Sequence, residues 1–554
     1  MSQRPSALRT LHTQSWAGVV SVMLLAAAFV GMVFGPAFVR GHSSFWQTDA
    51  EDITQYMAGF NMYFSAPWRF PVLAFDSLNF PQGTRSTFVD AIPLYALLLK
   101  VVIPASWAPF NPYGAWVALC FGLQAVGAWW IARELGARSW SFLLSLVIML
   151  MTMPALLSRI GHTSLMSHWI VLFAMALYLR GSRQGRLATV GWSVLLVSAF
   201  YVNIYLFAMA SALYAAAIVF ALQRHRLPAD GRVSASLRTL VAAALPAVAL
   251  LATLPLTLLP LAPGVGLREW GFGYYSMNLL SPLAGGYIIR LTVPVGPGQY
   301  EGFNYLGLGI LAALTLVLSQ SEPRVRLKRM LVRHAALAWL MALLVVYALS
   351  SQIYLAETQV ATVTYPGLAG AVTSQFRASG RFFWPVGYLL LVALWWLIYQ
   401  QRANKRFVVV AVALTALQVG DLTQVFRNLQ STLARPPAVH LKHEAWNAAI
   451  PEHIRSLYFY PKFKCAKNPA QTSLLPAMHY ASVRGLNLNT GYIARYTPAC
   501  DDMAREIADS VPTESAYVFV RSEFPDTSKI HSLIPGPSAR CTELDFALVC
   551  VPHP

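Results

Sequence analysis

The chain has 554 residues, of which 56% are hydrophobic and 12% charged, and its mean hydropathy is +0.50. An ordinary soluble domain carries about 25% charged residues, so this composition excludes a soluble globular enzyme, a disordered protein and a small disulfide scaffold. The apolar residues come in blocks of about 15–25, which is typical of a polytopic α-helical membrane protein. The net charge of +18 is concentrated in short loops between these blocks, so it indicates orientation in a membrane and not a nucleic-acid partner.

The first apolar block, Trp16–Val39, follows Arg4 and Arg9. It is too long for the core of a signal peptide, so it predicts an uncleaved first helix with a cytoplasmic N-terminus. Ten further blocks bring the predicted number of spans to eleven. These blocks are 113–132, 139–157, 165–180, 187–201, 204–222, 237–262, 303–320, 335–354, 383–400 and 407–425. In this threading the inside segments hold 19 of the 28 Lys and Arg residues before position 426, as the positive-inside rule requires.

The segment Asp90–Pro104 is apolar but has only about 15 residues, fewer than the roughly 20 that a helix needs to span a bilayer. Counting it as a span would reverse every later loop and place the arginine-rich loops outside. We therefore predict a re-entrant or interfacial helix here, within a first outside loop at 40–112.

Three acids, Asp49, Glu51 and Asp52, follow the first span in a chain that has few acids. They stand at the start of a predicted amphipathic helix whose apolar side chains are expected in the membrane interface. Those side chains are Met57, Phe60, Met62 and Phe64. The alternative interpretation is that the acids cap the helix and interact with its dipole.

The next polar group lies between two spans and consists of Arg159, His162 and His168. A histidine near a helix end is usually a hydrogen-bonded structural residue. An arginine with two histidines can also bind a phosphate or a carboxylate. Their spacing matches no standard zinc motif.

Two further outside loops carry charge close to a span. Glu301 lies in an aromatic and glycine-rich turn, and Arg377 and Arg381 are four residues apart, so a helix would place both on one face. Cations on the outside depart from the topological bias, which indicates an anionic ligand or, alternatively, lipid anchoring. Acids, histidines, arginines and aromatic residues therefore converge on the outer membrane face.

The last 129 residues, 426–554, have a net charge of only +2 and are predicted to form a small exported α/β domain after the transmembrane domain 1–425. Strands are predicted at 457–460, 517–521 and 546–551, and a helix at 501–510. Four of the five cysteines lie here, an even number that indicates two disulfides in an exported domain. Of three possible pairings we favour Cys465–Cys500 and Cys541–Cys550, and four free thiols are the alternative.

One long helix, an outside loop with acids at its start, many further spans and an exported C-terminal domain together resemble the GT-C glycosyltransferase superfamily. Five segments also resemble an uncharacterised bacterial integral membrane family that is itself considered GT-C-like. They are TDAEDITQYMAGFNMYFSAPWRFP, FVDAIPLYALLLK, PALLSRIGHTSLMSHW, YEGFNYLGLG and FRASGRFFWP. The resemblance covers nearly the whole chain.

The resemblance implies transfer of a sugar from a polyprenyl-phosphate carrier to a glycan, lipid or protein acceptor, on the periplasmic face of the bacterial inner membrane. A carboxylate in the first outside loop would act as general base, with Asp52 the first candidate and Asp49 the second. Candidate groups for the phosphate are Arg377, Arg381, Arg159 and Lys100. Candidates for positioning the sugar or acceptor are Glu301, Asp90, His162 and His168.

The chain departs from the better-known GT-C groups because it has no WWD-type motif and no clear pair of metal-binding acids. No cofactor is therefore predicted, and a role for a divalent metal has no support in the sequence. The competing hypothesis is a transporter or flippase of lipid-linked envelope intermediates that has no catalytic activity. A scaffold whose C-terminal domain binds envelope proteins is a third hypothesis.

Overall fold

The computed structural model of the chain is mainly helical, with a small sheet in its C-terminal part. It describes residues 13–224, 232–262, 264–266, 270–290, 296, 298–373, 375–401, 404–467, 473–534 and 539–552. Arg4 and Arg9, on which the predicted orientation of the first span partly depends, lie outside the described residues.

Eighteen α-helices lie between residues 16 and 433 in the described part of the chain. They are α1 (Trp16–Val33), α2 (Gly35–Val39), α3 (Asp52–Ser65), α4 (Pro93–Val102), α5 (Tyr113–Leu135), α6 (Trp140–Met151), α7 (Pro154–Leu157), α8 (Trp169–Gln184), α9 (Thr189–Val202), α10 (Ile204–Arg224), α11 (Arg232–Thr257), α12 (Leu308–Ser319), α13 (Ser321–Arg333), α14 (Ala335–Leu349), α15 (Gly367–Thr373), α16 (Trp384–Gln401), α17 (Asn404–Asp421) and α18 (Thr423–Leu433). Short 3-10 helices lie at Ser44–Gln47, Ser86–Phe88, Ala105–Trp107, Thr163–Met166, Gln299–Gly302 and Ser379–Phe383. Two small antiparallel hairpins pair β1 (Ala74–Phe75) with β2 (Thr84–Arg85), and β3 (Gln352–Leu355) with β4 (Thr358–Thr362).

Each of the eleven predicted apolar blocks contains a helix. The helices concerned are α1, α5, α6, α8, α9, α10, α11, α12, α14, α16 and α17. Within the described part of the chain, six helices are long and apolar enough to cross a membrane, or up to eight if each of two bent pairs counts as one span. One bent pair joins α13 to α14 at 91°. Its first half is the arginine-rich segment that the sequence analysis treats as a loop.

The segment Asp90–Pro104 contains only the ten-residue helix α4, about half of the length that spans a bilayer. Its Lys100 does not face the other candidate residues. Lys100 Nζ donates to the carbonyl oxygens of Tyr63 at 2.7 Å and Ala66 at 2.8 Å. Lys100 therefore satisfies backbone acceptors at the C-terminal end of α3, which are otherwise left unpaired at a helix terminus.

Helix α3 lies inside the protein, so the prediction that its apolar side chains rest in the membrane interface is wrong. Every residue from Ile53 to Phe64 is buried. These include Met57, Phe60, Met62 and Phe64. The reason is tertiary: helix α20 (Leu474–Arg484) of the C-terminal part packs against α3 and covers a face that the sequence alone leaves open.

The C-terminal part forms one five-stranded mixed sheet with helices packed around it. Its helices are α19 (His443–Ala449), α20 (Leu474–Arg484), α21 (Met503–Asp509) and α22 (Thr527–Leu533), and its strands are β5 (Ser456–Tyr460), β6 (Asn487–Leu488), β7 (Ser515–Val520), β8 (Arg540–Leu544) and β9 (Ala547–Val551). The strand order is β6-β5-β7-β9-β8, in which β5 runs parallel to β6 and β7 while β9 is antiparallel to its neighbours. The three predicted strands and the predicted helix correspond to β5, β7, β9 and α21.

Two cysteine pairs in this sheet region lie at disulfide distance, and they are the pairings favoured from the sequence. The S–S distance is 2.03 Å for Cys465–Cys500 and 2.04 Å for Cys541–Cys550. Cys541 and Cys550 are direct partners in the register of β8 and β9, so the second pair closes a short hairpin. Cys120 is buried in α5.

Asp49 docks the C-terminal part onto the first loop. Its buried carboxylate accepts the backbone N–H of His440 at 2.8 Å and that of Leu441 at 2.9 Å, and His440 Nδ1 lies 2.9 Å from it. The Asp49 N–H donates in turn to the Ala438 carbonyl. The acid considered second for the general base is therefore fully engaged in holding the linker before α19.

We expect Asp49→Asn to lower the free energy of unfolding by about 1.5–3 kcal/mol, the usual value of hydrogen bonds to a charged group. Asparagine keeps one acceptor oxygen but turns an NH2 group toward a backbone N–H donor. The measurement is thermal unfolding of the full chain in lipid nanodiscs, together with the rate of protease cleavage in residues 434–442.

The matched control is Glu51→Gln. Glu51 is exposed and lies 3.4 Å from the exposed Arg435, an arrangement worth at most about 1 kcal/mol. Equal effects of the two substitutions would show that the Asp49 contacts do not hold the linker.

Candidate functional site

The structure brings five of the candidate residues into direct or near contact at one end of the helices. Asp52 is the first residue of α3, Arg159 and His162 lie between α7 and α8, Glu301 is in the 3-10 helix Gln299–Gly302, and Arg381 is in the 3-10 helix before α16. Four separate parts of the chain thus supply one site, as expected for loops that converge on the same face of a helical bundle.

Glu301 lies at the centre of this group and is only 6% exposed. Its Oε2 accepts hydrogen bonds from Arg159 Nη1, from Arg381 Nε at 3.0 Å and from Arg381 Nη2 at 2.9 Å. Both arginines are themselves buried. We call these three residues the Glu301 cluster. With two buried cations and one carboxylate, the cluster has a net charge of +1. This charge acts on any group bound next to the cluster.

The surroundings of Glu301 keep it ionised. Burial alone would raise the pKa of its carboxyl, but Arg381, Arg159 and His162 outweigh burial and lower the pKa to about 2. The Arg159 Nη2 group also donates to the Tyr300 carbonyl at 3.0 Å, so the same arginine fixes the turn that carries Glu301.

His162 stands between two carboxylates. Its Nδ1 lies 3.4 Å from Asp52 Oδ2 and its Nε2 lies 3.6 Å from Glu301 Oε1. Burial lowers the pKa of His162; Asp52 and Glu301 act against that shift, whereas Arg381 and Arg159 add to it. A neutral imidazole can donate from only one of its two nitrogens. His162 can therefore donate either to Asp52 or to Glu301, and the charge of Asp52 influences which of them it pairs with.

Asp52 is the open carboxylate of the site, with 53% of its side chain exposed. Of the alternative interpretation, side-chain capping is absent at Glu51, the N-cap residue of α3, whereas Asp52 does stand in the first turn, where its charge suits the helix dipole. Asp49 binds the linker, Glu51 faces Arg435 and Asp52 also faces His162. An accessible carboxylate beside an imidazole and a buried positive cluster can accept a proton from a bound hydroxyl group.

A second carboxyl, Asp90, lies beside Asp52. Gln55, one turn along α3, donates through Nε2 to Asp90 Oδ2 at 3.2 Å and to the Tyr492 carbonyl at 3.3 Å. Solvent reaches the Asp90 side chain, yet the dense protein around it weakens its solvation. This loss of solvation is the main cause that raises the pKa of Asp90 to about 6, and repulsion from Asp52 adds to it. The attraction of Arg377 and Arg381 acts in the opposite direction.

Arg377 is the exposed arginine of the group. Its guanidinium lies 5.5 Å from the centre of the Tyr275 ring, and its side chain is exposed to solvent. Arg159 and Arg381 are committed to Glu301, so Arg377 is better placed than either of them to meet an anionic ligand.

Three predicted site residues lie elsewhere. Lys100 binds carbonyls at the end of α3, Asp49 binds the linker, and His168 is buried in the helical core. His168 Nδ1 lies 2.8 Å from the Tyr388 hydroxyl, and its ring packs 4.2 Å from that of Trp384. For His168 the structural interpretation is the correct one, since core packing and a hydrogen bond account for its position.

Sequence reasoning missed Gln55 and the tyrosines that border the site. Tyr275, Tyr300 and Tyr492 come from the loop after α11, the turn at Glu301 and the C-terminal part. Tyr300 directly precedes Glu301, so its position in the sequence could have indicated it. No neighbouring residue in the sequence indicates Tyr492. Within the described ranges, no three His, Cys, Asp or Glu side chains are grouped as ligands for a metal ion.

Two family models match this chain. A domain of unknown function, DUF6311, matches residues 23–423, and the DUF6311 C-terminal domain matches residues 445–552. No curated protein matches the chain. The matches cover both the helical part that carries the Glu301 cluster and the sheet region that carries Tyr492.

We expect Glu301→Gln to lower the free energy of unfolding by about 3–5 kcal/mol, because it leaves two buried arginines without a counter-charge. The measurement is thermal unfolding in nanodiscs between pH 3 and pH 8. The pKa of the Glu301 carboxyl is about 2 in the folded protein, against an ordinary value of 4.5. The stabilisation is therefore complete above about pH 4.5 and is lost as the pH falls toward 2.

The difference between wild type and Glu301→Gln should accordingly stay constant from pH 8 to pH 5 and shrink below that. Glu322→Gln is the control, since Glu322 forms an exposed pair with Arg326 at 2.6 Å and should change stability by less than about 1 kcal/mol. A Glu301→Gln protein as stable as this control would contradict the central role of the cluster.

Proposed function

The chain belongs to the DUF6311 family, and we propose that this member is a GT-C-type membrane glycosyltransferase. It moves a sugar from a polyprenyl-phosphate-linked donor to an envelope acceptor. The single observation that carries the proposal is the open Asp52 carboxylate, held 3.4 Å from His162 beside the positively charged Glu301 cluster. A base next to a site for a departing phosphate is what transfer from a lipid phosphate requires.

The proposal includes eleven spans in the bacterial inner membrane, with a cytoplasmic N-terminus and a periplasmic C-terminal domain. Six to eight of these spans are supported by described helices that are long and apolar enough to cross a membrane, and the orientation is supported by the arginine-rich segments between them. The two cysteine pairs at disulfide distance support an oxidising compartment for the C-terminal domain. This orientation places Asp52 on the same side as that domain.

In the proposed reaction, Asp52 takes the proton from an acceptor hydroxyl as that oxygen attacks the anomeric carbon of the donor sugar. The bond from the anomeric carbon to the carrier phosphate breaks, and the phosphate leaves with the bonding electron pair. His162 positions Asp52. When Asp52 takes up the proton, His162 Nδ1, the ring nitrogen that faces this carboxyl, remains its partner.

Arg377 binds the leaving phosphate directly, because it is exposed and borders the site. Arg159 and Arg381 are assigned an indirect part: paired to Glu301, they stabilise negative charge through the net +1 of the cluster rather than by contact. A fixed, buried charge of this kind needs no reorganisation when the phosphate develops its charge. Lys100 and His168 have no part in this proposal.

We expect Asp52→Asn to lower the transfer rate about 10²–10⁴-fold, the usual contribution of a general base. Its protein level and melting temperature should stay unchanged, because the side chain is half exposed. The measurement is mass spectrometry of lipid-linked sugars and envelope glycans from cells in which each variant replaces the wild type.

Glu51→Gln is the control, as it removes a neighbouring exposed acid that faces away from His162. Wild-type turnover by Asp52→Asn would remove the assignment of the base. Unchanged glycan chemistry in a strain that lacks the protein, with lipid-linked intermediates accumulating on the wrong face, would favour the transport hypothesis instead.

We expect Arg377→Ala to raise KM for the lipid-phosphate donor about tenfold and to lower kcat as well, since the phosphate gains charge as it leaves. Arg377→Lys should recover part of the loss because it keeps the charge but not the planar fork. The measurement is initial rates in nanodiscs over a range of donor concentrations.

Arg290→Ala is the control, because Arg290 is an exposed arginine that stacks on Tyr287 at 4.7 Å and is not part of the site. An Arg377→Ala enzyme whose donor KM equals that of Arg290→Ala would show that the phosphate is bound elsewhere.

A further inference from the structure

Three partly exposed tyrosines border the site that carries the open carboxylates. Tyr300 is 61% exposed and Tyr492 is 37% exposed, while Tyr275 is partly buried and contacts Tyr300 and Arg377. We call Tyr275, Tyr300 and Tyr492 the tyrosine group. Aromatic side chains of this size normally bury most of their surface, so their partial exposure around polar side chains calls for an explanation.

The first two rings are held on the helical part of the chain. The rings of Tyr275 and Tyr300 are nearly perpendicular, with their centres 6.4 Å apart. The Tyr300 backbone is fixed by the hydrogen bond from Arg159 to its carbonyl. Burial raises the pKa of the Tyr300 hydroxyl, and the charges of Glu301 and Asp52 raise it further. Because Tyr300 directly precedes Glu301 in the same turn, its exposed ring borders the Glu301 cluster.

The third ring comes from the C-terminal domain. Tyr492 packs against Phe463 with ring centres 4.4 Å apart, and its carbonyl accepts the hydrogen bond of Gln55 that ties it to Asp90. Burial, then Asp52, raises the pKa of its hydroxyl. Arg495, three residues further on, donates to Gln375, two residues before Arg377. The C-terminal domain thus presents Tyr492 to the site in a fixed position.

Tyrosines that anchor a protein in a membrane interface lie on its lipid-facing surface. Tyr492 instead follows β6 in the sheet domain, and its carbonyl is joined through Gln55 to Asp90 of the first loop. Partly exposed aromatic faces combined with carboxylates are the chemistry that recognises a pyranose ring. The apolar C–H face of the sugar stacks on the aromatic ring, and the carboxylates accept hydrogen bonds from its hydroxyl groups.

We propose that Tyr300 and Tyr492, together with Asp52 and Asp90, bind the pyranose ring of a glycan acceptor. The acceptor is then a carbohydrate rather than a protein or a lipid lacking sugar, and the C-terminal domain contributes directly to its recognition. This assignment rests on the proposed function for its place in a reaction, whereas the binding itself requires no turnover.

The position of the rings favours the acceptor over the donor sugar. The general base must contact the acceptor hydroxyl, and Tyr492 and Asp90 are joined through Gln55 to the same helix that begins with Asp52. Arg377, assigned to the donor phosphate, lies over Tyr275 instead. Donor phosphate and acceptor sugar thereby occupy neighbouring parts of one site.

The test is saturation-transfer NMR on the full chain in nanodiscs. The probes are the methyl glycosides of glucose, galactose, mannose and N-acetylglucosamine. We expect transfer to the ring protons of at least one glycoside. We expect this signal to fall about fivefold in Tyr300→Ala and in Tyr492→Ala, and to persist in Tyr492→Phe, which keeps the ring face.

Trp107→Ala removes an exposed aromatic residue outside the site and is the matched control. Misfolding would not explain a loss of signal in Tyr300→Ala, because the Tyr300 ring is largely exposed and buries little surface. Absence of transfer to all four glycosides, or an equal signal in the alanine variants and the control, would overturn the proposal. Loss of the signal on addition of undecaprenyl-phosphate-linked glucose would assign the rings to the donor sugar and overturn the acceptor assignment.

The outcome is separable from that of the proposed reaction. If Asp52→Asn transfers sugar at the wild-type rate while glycosides still bind at the tyrosines, the base assignment fails and the sugar site stands. If Asp52→Asn abolishes transfer while no glycoside binds, the sugar site fails and the base assignment stands.

Discussion

The buried carboxylate of Glu301 holds together parts of the chain that are far apart in sequence. Arg159 and Arg381 reach it from 142 and 80 residues away, respectively. A buried arginine without a partner is strongly unfavourable, so each of these contacts requires the others to be present. The position of the turn at residues 299–302, the segment before α8 and the segment before α16 therefore all depend on one acid.

The second constraint is the burial of α3 between the helical part and the C-terminal domain. Asp49, just before α3, holds the linker that leads to α19. Lys100 satisfies the last carbonyls of α3, and Gln55 connects the first turn of α3 to Asp90 and Tyr492. A helix held at both ends and along its length presents its first residue rigidly. Asp52 can thus remain open to solvent without being mobile, which suits a group that must meet a substrate in one geometry.

Much of the fold follows from the sequence because its determinants are local. Apolar runs place the helices, short continuous runs of aromatic and aliphatic residues place β5, β7 and β9, and the spacing of Cys541 and Cys550 suits a hairpin. The candidate site is predictable in part, since the threading puts Asp52, His162, Glu301 and the outside arginines on one face. The burial of α3, the linker contacts of Asp49 and the approach of Tyr492 are not predictable, because each depends on residues hundreds of positions away. The length of α4 is visible in the sequence, but the use of Lys100 to satisfy carbonyls of α3 is a tertiary contact.

The distribution of charge at the site gives a reason for the arginines found there. Two of the three near the site are neutralised in part by Glu301, and their surplus charge is buried and fixed. Arg377 is left exposed over an aromatic ring, next to a surface that also carries Asp52 and Asp90. A surface with an open cation beside open carboxylates favours a ligand that is anionic at one end and rich in hydroxyl groups at the other. A lipid-phosphate donor next to a sugar acceptor meets both requirements, whereas a simple anchoring role for Arg377 would account for the cation and leave the carboxylates and the tyrosine group unexplained.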